Sequence, residues 1–131
     1  MCYCEICGEK ADIHHIIHKH EGGYDFDLNY KQLCPLHHRG PLGPHHCSST
    51  DIKYKLELQG KLINLLPNIY YHPKELLVIL KINSSSIKRL LKGLSIHKEG
   101  YLNIDIIKSL MGGKLYNKTL FLQLETENIS I

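Results

Sequence analysis

Cys4-Glu5-Ile6-Cys7 and Cys34-Pro35-Leu36-His37 share one design: a metal-binding side chain at each end, two residues between, and 26 residues separating the two runs. A pair at this spacing can reach one ion from a single tight turn, and two such pairs complete a tetrahedral zinc shell. Spacing alone leaves Cys2 as an alternative to Cys4, and His38 as an alternative to His37. A stretch of about 50 residues buries too little apolar surface to be comfortably stable by itself. Structural zinc contributes on the order of 10 kcal/mol, and that energy becomes folding energy.

The composition points the same way. All five cysteines lie between Cys2 and Cys47, and eight of the ten histidines lie between His14 and His46. An odd cysteine count argues for a metal rather than a disulfide framework. Met1-Cys2-Tyr3-Cys4-Glu5 has neither the basic start nor the apolar run of a secretory signal, so a reducing cytoplasm is the expected location. With 131 residues, 43% hydrophobic and 22% charged, the chain has no room for a large α/β enzyme with its own cofactor domain. It is too apolar for wholesale disorder. No run of 18 uncharged apolar residues exists to cross a membrane.

Along the chain, Asp12 to Ile17 is of strand length, Glu21-Gly22-Gly23-Tyr24-Asp25 is a turn, and Leu28 to Leu33 is a second apolar run. Arg39-Gly40-Pro41-Leu42-Gly43-Pro44 cannot propagate a helix. Ser48-Ser49-Thr50-Asp51 supplies N-cap oxygens for a helix whose apolar positions are Ile52, Leu56, Leu62, Ile63 and Leu66. Beyond Pro67 three short helices are expected. They run from Pro73 to about Leu80, through Ile87, Leu90, Leu91 and Leu94, and from Asn103 or Asp105 to Leu110. A turn or short wing lies at His97 to Tyr101, and a mixed tail follows from Asn117. The fold class that results is α+β, a zinc-stapled module over 1–66 followed by a mainly helical region over 67–131.

Between the knuckles the order is Asp12-Ile13-His14-His15-Ile16-Ile17, then Gly22-Gly23, then Asn29-Tyr30-Lys31-Gln32-Leu33-Cys34, then His37-His38-Arg39-Gly40. This order resembles the zinc-containing HNH (ββα-metal) endonucleases. Their pattern is C-x2-C, an [H/D]-H-I strand, a G-G turn, N-x4-C, and a second knuckle followed by His or Asn. The resemblance covers about Cys4 to His46. It implies that His15 is the general base, that His14 and His38 hold a catalytic divalent ion, and that Asn29 braces the loop carrying the base. Cys4, Cys7, Cys34 and His37 would then hold structural zinc. Two imidazoles at the catalytic ion admit Mn²⁺, Ni²⁺ or Zn²⁺ as well as Mg²⁺. His18, His20, His45 and His46 read as loop or phosphate-contact residues, with His45 or His46 as an alternative ion ligand. Cys2 and Cys47 read as thiols outside the metal set. In a regular strand His14 and His15 face opposite sides, so one site can use both only where the backbone bends. A wider stretch, from Leu28 through Lys55, is similar to small HNH proteins of phage and prophage genomes.

The charge divides by half. From 1 to 66 there are 7 Lys/Arg against 8 Asp/Glu, whereas from 73 to 118 there are 9 against 3, a local +6 beneath an overall +3. Lys88, Arg89 and Lys92, on a helix opened by Ser84-Ser85-Ser86, together with Arg39 beside the second knuckle, are the candidate DNA contacts. The region from Pro73 to Tyr101 resembles the helix-turn-helix of small excisionase-like DNA binders. The expectation is therefore a metal-dependent DNA endonuclease of phage or prophage origin, with DNA as partner. Two other readings share its features: a zinc-stabilised DNA-binding regulator without cleavage, and a module that binds a phage or host protein. A homodimer is compatible with each.

Overall fold

The computed structural model describes residues 2–117; the expected tail lies almost wholly outside the described residues. The described residues form a small α+β structure with five α-helices and short strands. β1 (Asp12–His15) and β2 (Tyr30–Leu33) form an antiparallel hairpin in which Asp12 faces Leu33 and His15 faces Tyr30. Tyr3 bridges Lys10 across the first knuckle, whose turn closes through the Cys4 N–H to the Glu9 carbonyl at 2.7 Å.

The first strand stops two residues short of the apolar run that predicts it. The Ile17 N–H and carbonyl are both taken by the Asn29 side chain, at 2.7 and 3.1 Å, so the chain turns away from β2. Both isoleucines are buried in that turn. Gly23 is required here by space. A Cβ at this position would stand 1.9 Å from the Ile17 carbonyl oxygen. Short 3₁₀ turns at Lys19–Glu21 and Asp27–Asn29 complete the connection.

α1 (Pro35–Arg39) opens on a proline at its first position, and the Cys34 side chain caps its start. α2 (Ser48–Leu65) follows the glycine- and proline-rich loop; Cys47 holds the cap position, so Ser48, Ser49, Thr50 and Asp51 form the first turn of the helix rather than its cap. Its inner face is Ile52, Lys55, Leu58 and Leu62, with Tyr54 beside it. Ile63, an apolar position of the expected stripe, is instead half exposed at 50%. Lys31 ties the knuckle to α2, placing its Nζ 3.4 Å from both Glu5 and Glu57 and 4.4 Å above the Tyr54 ring.

After α2 come β3 (Tyr70–Tyr71), α3 (Pro73–Leu80), α4 (Ser84–Leu91), β4 (Ile96–His97), β5 (Gly100–Leu102) and α5 (Asn103–Leu110). The three strands pair in the order β3-β5-β4, so the expected wing is the β4–β5 hairpin. Asn83 caps α4 by accepting the Ser86 N–H at 2.8 Å, and Ser109 on α5 donates to the Leu90 carbonyl. One cluster of buried apolar residues runs from Cys4, Ile17 and Phe26 through Leu58 and Leu62 to Leu76, Leu90 and Met111. Gly112 brings the chain after α5 against the turn before Gly23. A Cβ there would meet the Glu21 carbonyl oxygen at 2.5 Å, and its φ of +81° suits glycine. No helix among the described residues is long and apolar enough to cross a membrane.

Leu62 is fully buried while its neighbour Ile63 is half exposed. Leu62→Ala should cost about 2–5 kcal/mol by urea denaturation, and Ile63→Ala under about 0.5 kcal/mol.

Candidate metal and histidine centre

The two knuckles meet. Cys4, Cys7, Cys34 and His37 place one ligand atom each within 4.8 Å of all the others. Cys7 Sγ lies 3.6 Å from Cys34 Sγ, and His37 Nδ1 lies 3.2 Å from Cys34 Sγ and 3.6 Å from Cys4 Sγ. Tetrahedral zinc with bonds of about 2.0–2.3 Å requires ligand separations of about 3.5–3.8 Å, so donor set and spacing fit this ion. The Ile6 N–H points at Cys4 Sγ and the His37 N–H at Cys34 Sγ, as a knuckle needs to stabilise thiolates. Burial raises the Cys4 thiol pKa, but backbone groups at Cys34, Cys7 and Ile6 outweigh it and bring it down to about 6. A backbone contact at Glu9 lowers the Cys7 thiol, yet burial and the neighbouring Cys34 and Cys4 sulfurs push it up overall. Of the alternatives left open by spacing, Cys2 is outside this cluster, donating to the Ala11 carbonyl at 2.9 Å. His38 turns the other way.

That turn builds a second group. His37 and His38 are adjacent on α1, so their side chains leave the helix about 100° apart. His38 is buried, with Nε2 3.2 Å from His14 Nδ1 and 2.8 Å from His45 Nε2. These three imidazoles can share one ion. His18 joins them, its ring centroid 5.4 Å from that of His14 and 5.3 Å from that of His45. An open cleft of about 230 Å³ is lined by His14, His15, His18, His38 and His45, with Lys19 and Arg39 also on its walls. His14 and His15, neighbours in β1, both line this cleft.

Burial, then repulsion from His38, His18 and His45, pushes His14 down to about 3. Burial and their neighbours likewise lower His38 and His45. Neutral rings keep the lone pairs that metal binding needs. His14 Nε2 and His38 Nδ1 are buried with no hydrogen-bond partner.

His15 stands at the end of β1 with Nε2 2.7 Å from Asp25 Oδ1. A carboxylate only accepts, so Nε2 carries the hydrogen and the neutral ring presents Nδ1 as its basic atom. That hydrogen bond, together with Lys19, holds the Asp25 carboxyl below its ordinary range. Asn29 is fully buried. Its side chain grips the Ile17 N–H and carbonyl and the Tyr24 carbonyl, and so fixes the loop that follows His15.

The sequence reading leaves out an ionic group beneath the histidines. Lys55, 2% exposed, lies 2.8 Å from both Asp51 and Glu21. Burial lowers the Lys55 pKa, but these two carboxylates outweigh it and raise it. His18 Nε2 sits 3.3 Å from Asp51 Oδ1. That is close enough for an ion pair, but the ring N–H misses the oxygen and both atoms lack a hydrogen bond. Asp51 and Lys55 show only the one-turn spacing of an ordinary helix ion pair, and Asp25 shows no signature at all; the fold alone brings them to the histidines. The candidate DNA contacts are dispersed. Arg39 is on the cleft, Lys88 and Arg89 are exposed on α4, and Lys92 lies just past its end. The Arg89 guanidinium stacks 4.1 Å over the Tyr24 ring. His20 and His46 are exposed and outside the His14–His38–His45 group.

Compared with protein-family models, curated proteins and solved structures, the chain matches none.

Two outcomes follow from this geometry. Cys34→Ser should lose one zinc per chain and much of its helical circular dichroism, whereas Cys2→Ser should retain both, as read by elemental analysis and thermal melting. The second concerns acid. Above pH 6.5 His14 is neutral folded and unfolded; below it the unfolded chain takes up a proton that the folded site refuses down to about pH 3. Stability should therefore fall with falling pH, by up to about 1.4 kcal/mol per pH unit from this group. Urea denaturation between pH 7.5 and 5 should show a shallower slope in His14→Gln.

Proposed function

We propose that this protein is a metal-dependent DNA endonuclease of the HNH (ββα-metal) type, of phage or prophage origin. The observation that carries the reading is the convergence of His14, His38 and His45 on one cleft with His15 at its edge. Support also comes from the hairpin-then-helix order, from the Asn29 brace and from the zinc-compatible knuckles that hold the hairpin to α1. His14, His38 and His45 would hold a divalent ion, which when bound supplies positive charge at the scissile phosphate. Such a donor set suits Mn²⁺, Ni²⁺ or Zn²⁺, and Mg²⁺ less well.

His15 Nδ1 removes a proton from water, the water oxygen forms the new bond to phosphorus, and the bond to the leaving sugar oxygen breaks. The leaving oxygen takes a proton from solvent. Asp25, 2.7 Å from Nε2, orients the ring. Asn29 keeps the loop after His15 from relaxing. Arg39 and Lys19, on the cleft walls, meet phosphate oxygens.

The basic carboxyl-terminal part supplies DNA affinity. Lys88 and Lys92 present charge at and just beyond α4, with the β4–β5 hairpin beside it. Arg89, stacked on Tyr24, couples that helix to the loop carrying the base.

Nicking of supercoiled plasmid with Mg²⁺, Mn²⁺ or Ni²⁺ tests the reading. His15→Ala should lower the rate about 10²- to 10⁴-fold with DNA affinity retained. Lys88→Ala and Lys92→Ala should each reduce the salt slope of binding by about one. No cleavage with any metal, or full activity in His15→Ala, would falsify it. Sequence-specific binding with no cleavage would instead identify a regulator.

A further inference from the structure

The histidine cleft offers more ligands than one ion uses. His14, His38 and His45 form one group of three. His14, His18 and Asp51 form another, in which one atom from each lies within 4.8 Å of the others. His14 belongs to both. Its Nδ1 faces His38, and its Nε2 is buried without a hydrogen-bond partner.

Three of the four unpartnered buried polar atoms among the described residues belong to this second group: His14 Nε2, His18 Nε2 and Asp51 Oδ1. Buried polar atoms outside hydrogen-bond geometry need a physical cause, and here His14 Nε2 has no hydrogen-bond partner while His18 Nε2 and Asp51 Oδ1 meet only as an ion-pair contact. His18 Nε2 and Asp51 Oδ1 stand 3.3 Å apart. Adjacent ligands on an ion with bonds of about 2.1 Å stand about 3.0–3.4 Å apart.

The surroundings prepare these atoms to ligate. Lys55 binds the other oxygen of Asp51, Oδ2, and leaves Oδ1 directed at His18. Glu21 Oε1 lies 3.5 Å from His18 Nδ1, so the ring has a carboxylate beside each of its nitrogens. Asp51, Glu21 and Lys55 together carry a formal charge of −1. A cation beside Asp51 balances it.

We propose that His18, Asp51 and the second nitrogen of His14 form a further divalent-cation position, so that the cleft holds two ions joined through the His14 ring. Two nitrogens and one carboxylate oxygen suit a first-row transition ion such as Mn²⁺, Ni²⁺ or Zn²⁺ rather than Ca²⁺. Occupying both nitrogens of His14 releases its ring proton to solvent. The pair deepens the nuclease reading and rests on it for its purpose, since two ions can hold both the attacking and the leaving oxygen.

The test is a Mn²⁺ titration of the zinc-loaded full chain, followed by elemental analysis and electron paramagnetic resonance. The wild type should bind two Mn²⁺ per chain, with a resonance broadened by the neighbouring ion. Asp51→Asn and His18→Asn should each bind one and show a sharp resonance; His14→Ala should bind none tightly. His18→Asn leaves the Asp51–Lys55–Glu21 network in place and carries the test alone where Asp51→Asn fails to fold. One Mn²⁺ in the wild type, or two in both variants, overturns the second position. Plasmid nicking in the same samples separates the two readings. Cleavage with one bound ion keeps the nuclease and removes the pair, and two bound ions without cleavage do the reverse.

Discussion

The rest of the structure depends on one turn of helix. α1 is only five residues long, yet it carries His37 into the cysteine cluster and His38 into the histidine cleft. The knuckle fixes where α1 begins, because Cys34 is both a ligand-grade thiol and the cap of that helix. Once His37 is held by the cluster, the helical rotation of about 100° per residue decides where His38 points. The cluster that staples the fold therefore also sets the geometry of the cleft. A small error in α1 would move His38 off His14 and His45 together.

The second constraint lies at the opposite wall. After β1 the chain must leave the hairpin, which strands backbone groups at Ile17 in a buried place. Asn29 accepts from one and donates to the other, so a single amide side chain ends the strand and closes the loop. Gly23 lets that loop pack against the Ile17 carbonyl. His15, last in the strand, is thereby held at the edge of the cleft that contains His14. Both residues line that cleft although they are neighbours in the same strand.

The carboxyl-terminal part is not merely appended. Leu58 and Leu62 of α2 share their burial with Leu76, Leu90 and Met111, while Gly112 presses on Glu21 and Arg89 lies over Tyr24. Gln59 and Tyr116 exchange two hydrogen bonds between α2 and the segment after α5. Glu21, touched by this packing, is one of the two carboxylates on buried Lys55.

Much was legible from local signals. The knuckle spacing, the helix after the glycine- and proline-rich loop, Pro73 opening α3 and the serine start of α4 all rest on contacts within a few residues, which a sequence displays directly. The early end of β1 and the exposure of Ile63 were not legible, because long-range packing overrides short-range pattern. Lys55 was hidden for the same reason. On a helix it reads as surface, half of an ordinary pair with Asp51 one turn away, and it is Glu21, 34 residues earlier in the chain, that completes its buried ionic group. The sequence by itself determined the chemistry on offer: four soft ligands at knuckle spacing, and a surplus of imidazoles around a bracing asparagine. Which imidazoles converge was decided by tertiary structure alone. Every histidine carries the same ring, and only the bend at Ile17 and the rotation of α1 bring His14, His18, His38 and His45 to one place.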